Sequence, residues 1–157
     1  MLTHLDNKDQ PRMVDITDKT ATQRIASART IVEFPEGLLP EKGKEEIKSK
    51  KGPVFQTAII AGTQAVKRTA ELIPFCHSLP IEGIKITVQL QTANTVHIEC
   101  TVKTTHKTGV EMEALTGASV AALTIYDMCK SLSHGIVIRD TRLVEKTGGK
   151  ADFRHEG

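Results

Sequence analysis

Apolar and polar residues alternate along the chain from Thr20 to Phe34, with Thr30, Val32 and Phe34 on one side and Arg29, Ile31 and Glu33 on the other. A period of two predicts a strand, and Pro35 closes it. Residues 35–53 are charged and punctuated by Pro35, Gly37, Pro40, Gly43, Gly52 and Pro53. They read as a short helix or turn over 37–48, then a mobile basic loop. At Val54 the period changes: Phe55, Ile59, Gly62, Val66 and Ile73 recur at helical spacing, opposite Gln64, Lys67, Arg68 and Glu71. The pattern predicts one amphipathic helix over 54–73, ended by Pro74. Pro74 to Pro80 is a loop held between two prolines.

Alternation then returns twice. Ile84, Ile86, Val88 and Leu90 alternate with Lys85, Thr87, Gln89 and Gln91; Val96, Ile98, Cys100 and Val102 alternate with His97, Glu99, Thr101 and Lys103. The hairpin-length connector 92–95 predicts that these strands pair antiparallel, with one face covered and the other wet or polar. Residues 113–132 read as a long helix rich in small side chains (Ala114, Gly117, Ala118, Ala121, Ala122), a surface that another backbone can approach closely. Ser133-His134-Gly135 ends it. Ile136-Val137-Ile138 starts a last strand, apolar on both faces and therefore expected at the centre of the sheet. The tail 147–157 is Gly-rich and polar. Strand, helix, strand, strand, helix, strand is the order of the ferredoxin-like α+β fold, an antiparallel sheet with helices on one face. Residues 1–12 read as a loose segment before a single domain at 13–157.

Composition narrows the classes. The chain has 157 residues, enough for one domain with a hydrophobic core. Aromatics are 3% of it, with no Trp and one Tyr, so the core must be aliphatic. The two paired strands carry no Phe, Tyr or Trp, which argues against RNA binding by base stacking on the sheet. The net charge of +2 leaves anion binding to local clusters. The three cysteines have no metal-ligand spacing and fit a reducing, cytoplasmic setting. No apolar run approaches the roughly 18 residues of a membrane helix.

Four clusters are candidates for chemistry. Asp127 and Lys130 lie one helical turn apart on one face. They can form a surface salt bridge, or an acid–base pair if the environment tunes the lysine, although a neighbouring carboxylate alone holds an ammonium charged. Thr108 with Glu111 can form a capping box at the helix start; Glu111 and Glu113 can instead serve as a general base or bind amine-like groups. His77, beside Cys76 in the Pro-bounded loop, can shuttle protons or be an ordinary loop residue; Cys76-His77 alone lacks the ligands for zinc. The lysines at 42, 44, 48, 50 and 51 are either a solvated face or a triphosphate-capturing segment. Thr147-Gly148-Gly149-Lys150 lacks the spacing and hydroxyl of a phosphate-binding loop of the Walker type.

Glu113 and Asp127 would lie about 21 Å apart along one helix at 1.5 Å per residue. A substrate of nucleotide size hardly spans that, so these groups are expected to meet across a subunit interface, with the small-residue face of the helix permitting close packing there. A small-molecule regulatory module is the third class, and it would need no acid–base pair.

Longer segments carry a resemblance. MVDI at 13–16, AGTQAVKRT at 61–69, LIPFCH at 72–77, KTGVEMEALT at 107–116 and ASVAALTIYDMCK at 118–130 closely resemble the molybdenum cofactor biosynthesis protein C family, the cyclic pyranopterin monophosphate synthases. The resemblance covers about residues 13–153. It implies a ferredoxin-like subunit in a homohexamer, a trimer of dimers with sites between subunits. It implies conversion of 3′,8-cyclo-7,8-dihydro-GTP, supplied by a radical GTP cyclase, to cyclic pyranopterin monophosphate with release of pyrophosphate, a phosphorus–oxygen lyase reaction. No cofactor is implied, with a Mg²⁺ requirement for the triphosphate left open, and no nucleic acid or membrane partner. By position, Asp127 and Lys130 would be the catalytic pair, and Lys51, Cys76, His77, Glu111, Met112 and Glu113 would line the site. Lys67, Arg24 and Lys146 would be candidates for phosphate contacts. The family usually carries an Asp after Lys51-Gly52, where this chain has Pro53, which stiffens the exit of that loop.

Overall fold

The computed structural model describes residues 3–40 and 45–157; Lys42 and Lys44 of the basic segment lie outside them. Strand β1 is Thr22–Glu33, as the alternation predicts. Beyond it Glu36 and Gly37 make a turn, and no helix forms among the described residues of 37–48. The expected mobile loop is instead a tight hairpin, β2 (Lys48–Ser49) paired with β3 (Gly52–Pro53). Its turn is closed by the Lys51 amide donating to Ser49 Oγ at 3.1 Å, and Gly52 supplies the φ of +114° that the turn requires.

The helix read over 54–73 is two, α1 (Val54–Lys67) and α2 (Thr69–Leu72), broken at Arg68. The break lies at Arg68, whose backbone leaves the helical region at φ −109°, ψ 12°, and the buried Thr69 hydroxyl beyond it donates back to the Ala65 and Val66 carbonyls. Strands β4 (Gly83–Leu90) and β5 (Thr95–His106) pair antiparallel with Leu90 opposite Val96. Helix α3 is Glu111–Cys129, shifted towards the N-terminus from the expected 113–132. The last strand, β6 (Val137–Thr147), is followed by a two-residue β7 (Phe153–Arg154) inside the expected polar tail.

The sheet runs β4-β5-β1-β6-β7, antiparallel throughout, the ferredoxin-like arrangement with β7 appended. β1 is the central strand, flanked by β5 and β6. β6 is interior only where β7 pairs with Glu145 and Lys146, and along its apolar start it has β1 alone as a partner. The apolar run 136–138 gives way to Arg139-Asp140-Thr141-Arg142, Val137 is half exposed, and two register shifts against β1 bend the strand, as strands near sheet edges tolerate. α3 lies across β1, β5 and β6, α1 lies along β4, and the two helices pack on each other. The core between helices and sheet is mostly aliphatic, with Val32, Ile98, Val102 and Ile125 fully buried in it together with Phe34. On the other face, where Ile31 is also buried, Ser27 and Thr101 share a hydroxyl hydrogen bond of 2.7 Å.

The small residues of α3 face inward. Ala114, Gly117, Ala118, Ala121 and Ala122 are all buried within the chain, so this stripe serves the α1–α3 and helix–sheet contacts rather than a subunit interface. A Cβ on Gly62 would come within 2.8 Å of the Gly117 carbonyl, and one on Gly117 within 2.6 Å of Val66 Cγ2 and 2.7 Å of Cys100 Sγ. Two facing glycines set the approach of the helices.

Candidate active site

Helix α3 presents charged groups at both ends. At its start, Val110 occupies the N-cap and no side chain caps the helix; the expected Thr108–Glu111 capping box does not form. Starting at Glu111 puts both Glu111 and Glu113 in the first turn, where the helix dipole favours negative charge. Glu113 points inward and is only 4% exposed. Burial pushes its carboxyl up to about 6, its own amide N–H pulls the other way, and the nearby Glu111 adds to the rise. Glu111 Oε1 is instead paired with Lys146 Nζ on β6 at 3.3 Å.

A pocket of about 470 Å³ opens over this helix end, and it gathers Cys76, His77, Glu111, Met112, Glu113 and Lys146. The loop between Pro74 and Pro80 brings the first two. His77 Nε2 lies 2.6 Å from the Val14 carbonyl; a carbonyl only accepts, so the Nε2–H donates to it. Burial, and then Glu113, raise the Cys76 thiol above its ordinary range, which keeps it from acting as a thiolate near neutral pH. The segment before β1 forms a further wall through Val14, Ile16 and Lys19. A second basin, of about 540 Å³, adjoins the first through Thr108, Glu111 and Lys146 and adds Arg24, Lys107 and Lys150. Lys107 and Lys19 carried no role in the sequence reading. Lys107 also ties the N-terminal wall down, Nζ donating to the Thr17 carbonyl at 2.9 Å.

The other end of α3 holds a second cluster. Asp127 Oδ1 lies 2.9 Å from Lys130 Nζ, the expected pair, and Oδ2 lies 2.7 Å from Lys51 Nζ on the β2–β3 hairpin. Lys51 and then Lys130 hold the Asp127 carboxyl below its ordinary range. The three side chains are 55%, 57% and 52% exposed, so solvent screens both pairs and they add little to stability.

Within one chain the two clusters stay apart, joined only by the helix between them. Lys67 belongs to neither; it sits exposed on the last turn of α1, where a cation complements the helix dipole. Among the described residues no group of three or more His, Cys, Asp or Glu is arranged to hold a metal, and no helix is long and apolar enough to cross a membrane.

Fold and site together define a ferredoxin-like domain with a pocket over a buried carboxylate, an adjoining cationic basin and a lysine–aspartate–lysine cluster. Residues 13–149 match the model of the MoaC family, and the chain belongs to that family. It is 54% identical over 152 residues to a cyclic pyranopterin monophosphate synthase of Xanthomonas campestris, covering 97% of this chain and 92% of that protein. It is 59% identical over 156 residues to a molybdenum cofactor biosynthesis bifunctional protein of Synechocystis, of which it spans 45%. Against molybdenum cofactor biosynthesis protein 1 of Drosophila melanogaster the identity is 46%, over 27% of that protein.

Proposed function

We propose that this chain is a cyclic pyranopterin monophosphate synthase of molybdenum cofactor biosynthesis, a phosphorus–oxygen lyase that converts 3′,8-cyclo-7,8-dihydro-GTP to cyclic pyranopterin monophosphate and pyrophosphate. The observation that carries the reading is the joining of an acid–base pocket to a basin of cations at the start of α3, in a chain that matches the family from 13 to 149. The reaction opens the imidazole part of the base, rebuilds it as a pterin and closes a cyclic phosphate, and each step moves protons to or from nitrogen and oxygen. Glu113, titrating at about 6, is matched to proton exchange near neutral pH. His77 lines the same pocket. Arg24, Lys107, Lys146 and Lys150 neutralise the triphosphate, with any Mg²⁺ entering on the substrate rather than on a protein site. Lys130 exchanges protons with the substrate, and Asp127 orients it and Lys51.

The two clusters then belong to different subunits in each site. The length of α3 supports this: about 21 Å separates Glu113 from Asp127 along it. A homo-oligomer with sites between subunits, a trimer of dimers, meets that requirement, and a radical GTP cyclase would supply the substrate.

The test is turnover of 3′,8-cyclo-7,8-dihydro-GTP by the purified chain, read as pyrophosphate release and as product mass. Asp127→Ala and Lys130→Ala should each abolish it while the fold survives. Full turnover by either variant would remove the pair from the mechanism, and no turnover by the wild-type chain would sink the assignment.

A further inference from the structure

Helix α1 begins without a cap of its own. Pro53 fills the N-cap position at φ −70°, ψ 122° with no side-chain hydrogen bond, and the first turn holds no acidic residue. The first amides of a helix have no carbonyl partner within it, so an acceptor must come from elsewhere. Glu46 supplies it from the segment before the hairpin. Its Oε1 accepts from the Phe55 amide at 2.7 Å and its Oε2 from the Gln56 amide at 3.1 Å. Oε1 also accepts from the Ile47 amide at 2.7 Å, and the Val54 amide donates to the Ile47 carbonyl at 2.8 Å. One carboxylate therefore ties residues 46–47 to the first turn of α1. The chain enclosed by that tie is the β2–β3 hairpin, and Lys51 at its turn is the residue that reaches Asp127. An exposed ion pair is too weak to order the hairpin backbone by itself; the order comes from the base.

We propose that Glu46 is a positioning residue, which holds the base of the hairpin so that Lys51 is delivered to Asp127. It touches no substrate and acts through Lys51. The inference rests on the reading that Lys51, Asp127 and Lys130 work in the site. Because Pro53 at the N-cap offers no side-chain acceptor, the first amides of α1 rely on Glu46.

Four variants test this in the full-length protein: Lys51→Ala, Glu46→Ala, the two combined, and Glu46→Ala with Pro53→Asp. An Asp at 53 can cap α1 from the extended N-cap backbone but cannot tie residue 46 to the helix. The expected result is a fall in kcat of about tenfold to hundredfold for Glu46→Ala, with no further loss when it is added to Lys51→Ala, because both remove one interaction. Glu46→Ala with Pro53→Asp should regain the thermal midpoint and not the kcat, and it carries the test if the single variant folds poorly. Amide hydrogen exchange, followed by mass spectrometry, should quicken over 47–52 in both Glu46 variants. Wild-type turnover by Glu46→Ala beside an inactive Lys51→Ala overturns the proposal, as does full additivity of the two losses or recovery of kcat by Pro53→Asp. Full turnover by Lys51→Ala would mean instead that the reading of the Lys51 cluster has failed, a result visible without any Glu46 variant.

Discussion

Glu113 and Asp127 sit on one helix in opposite environments. Burial holds Glu113 up, at about 6, while two ammonium groups hold the exposed Asp127 down. A carboxylate raised above its ordinary value near 4.5 binds its proton more tightly folded than unfolded. It therefore costs stability as pH climbs through that interval, by at most about 2 kcal/mol. Glu113→Gln should unfold at a higher temperature than wild type near pH 7.5, and the gain should shrink near pH 4.5; an equal gain at both values would show that the carboxylate does not titrate as its burial dictates. Asp127 works the other way: its contribution is present above its unfolded value and is lost as pH falls through its depressed one. Several of the contacts were legible at this scale. The i, i+3 spacing gave the Asp127–Lys130 contact, and the motifs gave the pocket residues. Lys51 was legible by resemblance but its partner was not, because no local rule links positions 76 residues apart. The burial of Glu113 was equally hidden, since the pattern of a first helical turn is the same whether it faces solvent or a pocket.

Among elements, the α1–α3 contact is the least forgiving. Gly117→Ala would press a methyl group against Val66 and Cys100, and overpacking of this kind costs about 1–3 kcal/mol. A fall in the urea midpoint without a change in slope would report it; an unchanged midpoint would mean that the helices can separate at little cost. The elements themselves were legible where one period persisted, in β1, β4, β5, α1 and α3. The misreadings came where a single tertiary contact decided the outcome. The helix breaks at Arg68 within a pattern that continues unbroken to Ile73. Glu46, upstream of the helix, ties the base of a lysine-rich hairpin to the first turn of α1, nine and ten residues on. β6 starts with three apolar residues and still lies beside the edge, because strand position is set by which partners remain unpaired rather than by its first residues. The small-residue stripe of α3 was visible, but it does not say whether the backbone it admits belongs to the same chain.

At the scale of the whole molecule, the proposed division of each site between subunits has a direct consequence. Glu113→Ala and Lys130→Ala damage different halves. Co-assembled from two differently tagged chains, a mixed dimer would hold one intact site and one doubly damaged site. Turnover well above either parent is the expected outcome, and none at all would mean that a single chain furnishes both halves. The family and the fold were legible over most of the chain, while the partition of the site was approachable only through the length of one helix. That helix, α3, is unbroken from Glu111 to Cys129, and it fixes an angle as well as a distance. One residue inserted between Glu113 and Asp127 would swing one cluster about 100° around the axis relative to the other and move it about 1.5 Å. Descendants of this sequence are thus free to change letters along that interval but not to lengthen or shorten it, so its history should be written in substitutions alone.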